Sequence, residues 1–260
     1  MWIIVFATIN ILLLVFSIFF LLPKESYKKI PMNLQDIINK IYKHLIPIII
    51  IITIVAIHLI EVNFIDEPVT KFLGTEQTNT ELINNFEKDT VYWFSQYWTP
   101  VLLYFFVIIY IVIYPFTLWF SPLYFILGNK KKAMKSLAYG LLLIYLIALP
   151  FYLLFPVKNV YTFYESGSAL ETAIPSIETF FYSTTTANNC FPSLHTAMTI
   201  LIAYCISLTG NKKLTYFAYL VMICVIISVI YLSIHWITDT IAGAILALFA
   251  ISIIRKKIKG

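Results

Sequence analysis

"LHTAMTILIAYCISLTGNKKLTYFAYLVMICVIISVIYLSIHWITDT", residues 194–240, decides the reading of this chain. Two apolar runs, at about 194–210 and 214–233, flank the polar turn Asn211-Lys212-Lys213. With their flanking residues, each is long enough to cross about 30 Å of hydrocarbon as a helix. A chain that crosses and returns brings the start of the first run and the end of the second to one membrane level. His195 stands at that start and His235 just past that end. The hairpin therefore aligns two histidines.

Outward from this hairpin the same pattern continues. The chain is 60% hydrophobic and only 12% charged, a balance that belongs to membrane proteins and not to soluble domains. Apolar runs recur at about 2–22, 45–62, 99–121, 137–157 and 240–254. The expected fold is an all-α polytopic membrane bundle of about seven transmembrane helices, forming one embedded domain over residues 1–260. The first run lacks the basic flank and small-residue cleavage site of a signal peptide and reads as a retained helix. The fifth and seventh runs are short and are expected to extend into their flanks.

Orientation follows from the basic residues. If spans alternate, one side receives Lys24, Lys28, Lys29, Lys40, Lys43, Lys130, Lys131, Lys132, Lys135, Lys212, Lys213, Arg255, Lys256, Lys257 and Lys259. The other receives Lys71, Lys88 and Lys158. The positive-inside rule then sets the N-terminus outside and the C-terminus inside. With a single arginine and no basic stripe interleaved with aromatics, nucleic-acid binding is excluded. Cys190, Cys205 and Cys224 lack metal-site spacing, and an odd number leaves no complete disulfide framework. Two outer loops are long. Residues 63–98 read as an acidic solvated cap followed by an aromatic interfacial belt. Residues 158–193 exceed a plain connector and imply function or short helices.

The chemistry-bearing residues gather on that outer side. Ser193 reads as the N-cap of the fifth span, which leaves the first-turn amides of Leu194, His195 and Thr196 suited to an anion. His235 and Asp239 are four apart, one turn if the segment is helical, and a carboxylate there fixes an imidazole tautomer. An ionisable pair at the edge of a span points to function. His58 and Glu61 read as an interfacial pair, with pocket lining as the alternative. His44 reads as interfacial, Cys190 as loop packing and Tyr231 as structural.

Pro192-Ser193-Leu194-His195, followed by Ser228 and then by His235 and Asp239, resembles the type 2 phosphatidic acid phosphatase superfamily. Leu194 and Val229 replace the usual glycine and arginine of its second and third motifs. "FPSLHT" and "IYLSIHWITD" are most similar to its inositol phosphorylceramide synthase-like branch. The resemblance covers about 137–254. Its first motif fails when aligned from Lys158, which places Glu165 and Ser166 at the Arg-Pro positions.

The resemblance implies a lipid phosphate phosphatase, or a lipid head-group phosphotransferase, acting from the non-cytoplasmic side. His235 would attack phosphorus, Asp239 would orient it, and His195 would protonate the leaving oxygen. Lys158, Ser193 and the Leu194 amide would bind phosphate oxygens. No cofactor and no metal are expected; the partners are a lipid phosphate and membrane lipids. A non-catalytic lipid-binding or transport protein of the same fold is the alternative outside enzymes.

Overall fold

A computed structural model describes residues 2–22, 33–178, 182 and 185–258, with side chains from residue 5 onward. Among these residues the regular structure is helical, apart from an isolated bridge between Val157 and Asn189. Five helices are long and apolar enough to cross a membrane: Leu45–Leu73, Pro100–Leu127, Lys131–Leu154, Lys212–Tyr231 and Ile237–Lys257. Two shorter apolar helices, Val5–Leu21 and Leu194–Ser207, complete the seven runs. In chain order they are called the first to seventh spans. The chain is an all-α polytopic membrane bundle.

Alternation of the spans is visible in the contacts at one end. The Lys40 ammonium donates to the Leu127 carbonyl (2.7 Å) and the Lys130 ammonium to that of Thr209 (3.1 Å). The Asn211 amide donates to the Leu21 carbonyl (2.9 Å). The lysine-bearing turns thus share one end, with His44 beside them, and His58, His195 and His235 lie at the other. Lys24, Lys28, Lys29 and Lys259 lie outside the described residues.

The seventh span lengthens as expected, but the fifth does not. Its 14 residues rise only about 21 Å, short of about 30 Å of hydrocarbon. Pro192 and the Ser193 cap stop it at one end. At the other, Gly210 takes the left-handed conformation (φ 77°) that ends helices. Its first residues are therefore sunk below the ends of the longer spans, carrying His195 into the bundle.

The acidic region also departs from expectation. The second span runs on through residue 62 to Leu73, stopping at Gly74 (φ 62°), with a π-helical turn at Glu61–Ile65. Glu61 and Asp66 are consequently buried, 0% and 3% exposed, and not solvated. Glu76–Glu87 and Thr90–Ser95 are short helices over the histidine end. Glu87 accepts from the backbone N–H groups of Ile237 and Thr238, a carboxylate cap on the seventh span. The exposed Trp93, Phe94 and Tyr97 fit the expected aromatic belt. His44, expected at the interface, is buried.

The long 158–193 connection carries the short helices Val160–Phe163 and Ala169–Ala173. It is fastened to the segment after the fourth span. Val157 and Asn159 donate to the carbonyls of Asn188 and Ala187, and the Tyr152 hydroxyl donates to that of Pro192 (2.7 Å). These bonds fix the loop that leads into the fifth span.

Candidate active site

The sixth span ends at Tyr231, and the seventh begins at Ile237. His235 and Asp239 are therefore not one turn apart on a continuous helix. The residues between form a tight turn in which Ser233 takes φ 58°. Asp239 sits in the first turn of the new helix, where its Oδ2 accepts the Trp236 N–H (3.0 Å) and lies 3.4 Å from His235 Nδ1. The pairing foreseen from spacing exists, but a helix start makes it. Asp239 is 0% and His235 3% exposed.

The fifth span brings the other half. Ser193 caps it through the Thr196 N–H (3.3 Å), and its own N–H donates to the Asp239 carbonyl (3.0 Å). Ser193 thus ties the two helix starts together, with its hydroxyl committed to the cap. Among the described residues, the amides of Leu194 and His195 have no acceptor. Gly243 permits this approach: a Cβ there would collide with the Ser193 carbonyl oxygen. His195 Nδ1 then meets His235 Nε2 at 3.1 Å, while its Nε2 meets the Tyr110 hydroxyl at 2.9 Å.

Four groups form one hydrogen-bonded chain: Tyr110, His195, His235 and Asp239. With Asp239 ionised, the carboxylate at its end only accepts, which orders the protons along the chain. His235 Nδ1–H donates to Asp239, so His235 Nε2 holds a lone pair. His195 Nδ1–H donates to that lone pair, and the Tyr110 O–H donates to His195 Nε2. A nucleophilic nitrogen thus faces a proton donor. Burial holds the His235 imidazole well below its ordinary pKa, partly offset by a backbone hydrogen bond at Cys190, so the ring stays neutral near pH 7.

Lys158 is placed differently. Its carbonyl accepts the Trp236 indole N–H (2.8 Å), which anchors its backbone beside the His235 turn. Its ammonium, however, lies 3.7 Å from the Glu76 carboxylate and 3.4 Å from Gln77 Oε1. Cys190 is buried loop packing, as expected, and its thiol is held protonated by burial. Its sulfur, a His235 nitrogen and an Asp239 oxygen lie within 4.8 Å of one another, a donor set of zinc-like character. Both ring nitrogens of His235 are engaged in the chain described above. Tyr231 is structural, its hydroxyl bonded to the backbone of Tyr97 and Thr99.

A cavity of about 490 Å³ opens beside His195 between the second, third, fourth and fifth spans. Its body is apolar, and its polar groups gather near His195: His58, Tyr110, Tyr114, Tyr145, Tyr152 and Asn189. The expected interfacial placement of His58 and Glu61 is overturned: His58 lines this cavity, and Glu61 is fully buried beside it. Tyr110 was not foreseen. It lies in the π-helical turn Ile109–Ile113, and its only sequence signal is a tyrosine pair, Tyr110 and Tyr114, in an aliphatic run.

Residues 78–253 match the family model of the PAP2 superfamily. The chain belongs to that superfamily. Neither the curated proteins nor the solved structures compared with the chain gave a match. PAP2 proteins are usually phosphatases or phosphotransferases, and the spans here fit a membrane-embedded one. The PAP2 match includes Tyr110, His195, His235 and Asp239, and it begins after the second span.

Proposed function

We propose that this protein transfers the phosphoryl group of a lipid phosphate or diphosphate ester through a phosphohistidine on His235, with hydrolysis as the simplest outcome. The observation that carries the reading is the proton order Tyr110–His195–His235–Asp239 at the mouth of an apolar cavity. His235 Nε2 attacks phosphorus, and its Nδ1–H is held by Asp239 as positive charge develops on the ring. As the anionic substrate binds, His195 takes a second proton at Nε2 and the Tyr110 hydroxyl turns to accept from it. The bond from phosphorus to the leaving oxygen then breaks, His195 Nδ1 gives that oxygen its proton, and a neutral imidazole remains. Water then attacks the phosphohistidine, returns a proton to His195 and restores His235.

The two rings stand 3.1 Å apart, so a phosphoryl group on His235 takes the place that His195 Nδ1 now fills. His195 turns aside as substrate enters. The amides of Leu194 and His195, at the positive end of a helix, face the developing charge. Ser193 holds that helix start in place. Among the described residues, no Lys or Arg lines the cavity. Lys158 is the cation assigned to phosphate, exchanging Glu76 for substrate.

The cavity's apolar body suits a hydrocarbon chain, and its volume falls within the roughly 300–1,000 Å³ of ligand pockets. The lysine distribution supports a site on the non-cytoplasmic side. The likeness to the inositol phosphorylceramide synthase branch supports transfer to a head-group alcohol as the second reading. Alkaline quenching after brief exposure to a 32P-labelled lipid phosphate tests the intermediate. Label should be found on His235 and vanish, with turnover, in His235→Ala. Turnover by His235→Ala near the wild-type rate would end this mechanism.

A further inference from the structure

A second polar pole shares the cavity with His195, and the PAP2 match begins only after its two second-span members, His58 and Glu61. His58 lines the cavity with Tyr145, Tyr114 and Asn189. Glu61 lies behind them, with Oε2 3.4 Å from His58 Nδ1 and Oε1 accepting the Asn189 amide (2.7 Å). The Tyr145 ring packs edge-on against His58, centroids 5.8 Å apart. Among the described residues, several of these buried polar atoms lack a hydrogen-bond partner: Tyr145 Oη, Tyr114 Oη, Asn189 Oδ1 and Glu61 Oε2. Tyr145 and Tyr114 are 4% and 5% exposed. Unsatisfied buried groups are costly, and a cluster of them facing a cavity marks a ligand.

The chemistry of the set narrows that ligand. Tyrosine hydroxyls donate and accept, Asn189 Oδ1 accepts, and the carboxylate accepts. A phosphate needs donors and positive charge; here Glu61 and the buried Asp66 supply negative charge, and among the described residues no Lys or Arg lines the cavity. A hydrocarbon chain offers nothing to these atoms. Hydroxyl groups, which donate and accept together, fit all of them.

We propose that His58, Tyr145 and Asn189, with Glu61 behind them holding the Asn189 amide, bind an alcohol bearing several hydroxyls, which accepts the phosphoryl group in place of water. This rests on the phosphohistidine reading above. One acceptor hydroxyl gives its proton to His195 Nδ1. Its oxygen bonds to phosphorus as the bond from phosphorus to His235 Nε2 breaks, and the bonding electron pair returns to that nitrogen. Remaining hydroxyls are held by Tyr145 and Asn189, and the Glu61 carboxylate positions Asn189 through its amide.

The full-length protein in detergent, given 32P-labelled dioctanoyl phosphatidate and increasing glycerol, tests this. Wild type should partition label between inorganic phosphate and glycerol phosphate, with glycerol phosphate saturating as glycerol rises. Glu61→Gln and Tyr145→Phe, both near-isosteric, should each lower the ratio of glycerol phosphate to inorganic phosphate about tenfold, the effect of one hydrogen bond involving a charged or buried group. They should also raise the glycerol concentration needed for half-saturation. Inorganic phosphate as the sole product, with His235 labelled, overturns the acceptor site alone. An unchanged ratio in both variants overturns it as well. Glycerol phosphate forming without label on His235 leaves the acceptor site standing and removes the phosphohistidine.

Discussion

Two histidine–carboxylate pairs lie near one cavity, and both measure 3.4 Å from Nδ1 to the carboxylate oxygen. Their surroundings differ. His235 and Asp239 are sealed, and Asp239 is fixed by the Trp236 N–H in the first turn of a helix whose own start is tied to Ser193. His58 keeps 29% of its side chain exposed, and Glu61 Oε2 makes no hydrogen bond. The first pair is complete in itself and preorganised, as a nucleophile must be. In the second, Glu61 Oε2 is left without a hydrogen bond among the described residues. Equal distances therefore do not mean equal roles; what the remaining lone pairs touch decides.

Asp239→Asn should break the sealed pair with the largest effect. An amide can present its N–H to His235 Nδ1, reversing the tautomer and leaving Nε2 protonated and unable to attack. Loss of an orienting carboxylate costs up to about 10⁴-fold in kcat. We expect at least a hundredfold, read by single-turnover phosphohistidine formation, with the protein still folded by circular dichroism.

Gly243→Ala probes the support of the same pair without touching it. The added methyl meets the Ser193 backbone, which cannot rotate away, so the fifth and seventh helix starts must separate. Overpacking of this kind costs about 1–3 kcal/mol. A lower Tm together with a ten- to hundredfold loss of kcat is expected. Gly140→Ala is the control, because there a Cβ meets only Leu201 and Ile254 side-chain ends.

Lys158→Met should act more mildly. A charge-assisted contact to phosphate is worth about 1.5–3 kcal/mol, but Lys158 must first release Glu76, which returns part of that. A loss of about tenfold in kcat/KM is expected, while Lys71→Met, whose ammonium pairs with exposed Glu67, should match wild type. If Lys158→Met also matches wild type, the helix amides and His195 balance the phosphate alone.

The smallest effect is on stability against pH. Burial lowers the folded pKa of His235, whereas the unfolded chain takes up its proton near pH 6.5. Below that value the unfolded state binds more protons, so stability falls as pH drops from about 6.5 toward the depressed folded pKa and is level above. Thermal melts from pH 7.5 downward should show this slope. His235→Asn, which does not titrate, should make it shallower.

The amino-acid sequence by itself determined the seven apolar runs, their alternation and the meeting of His195 with His235. Hydrophobic length and charge placement are one-dimensional properties, and a hairpin carries them directly into space. The Ser193 cap was legible for the same reason: it is local. Tertiary structure decided what depends on neighbours distant in the chain. Spacing suggested a helical turn between His235 and Asp239, but the chain turns at Ser233 and restarts. Tyr110 enters from the third span through a π turn that no periodicity announces. Asp66 looks solvated in an acidic stretch and Glu61 interfacial, yet the second span runs on and buries both. Lys158 is tied to the His235 turn by its backbone, but Glu76, distant in sequence, takes its charge. Burial and pairing depend on which segments pack together, and the sequence near a residue does not contain that information.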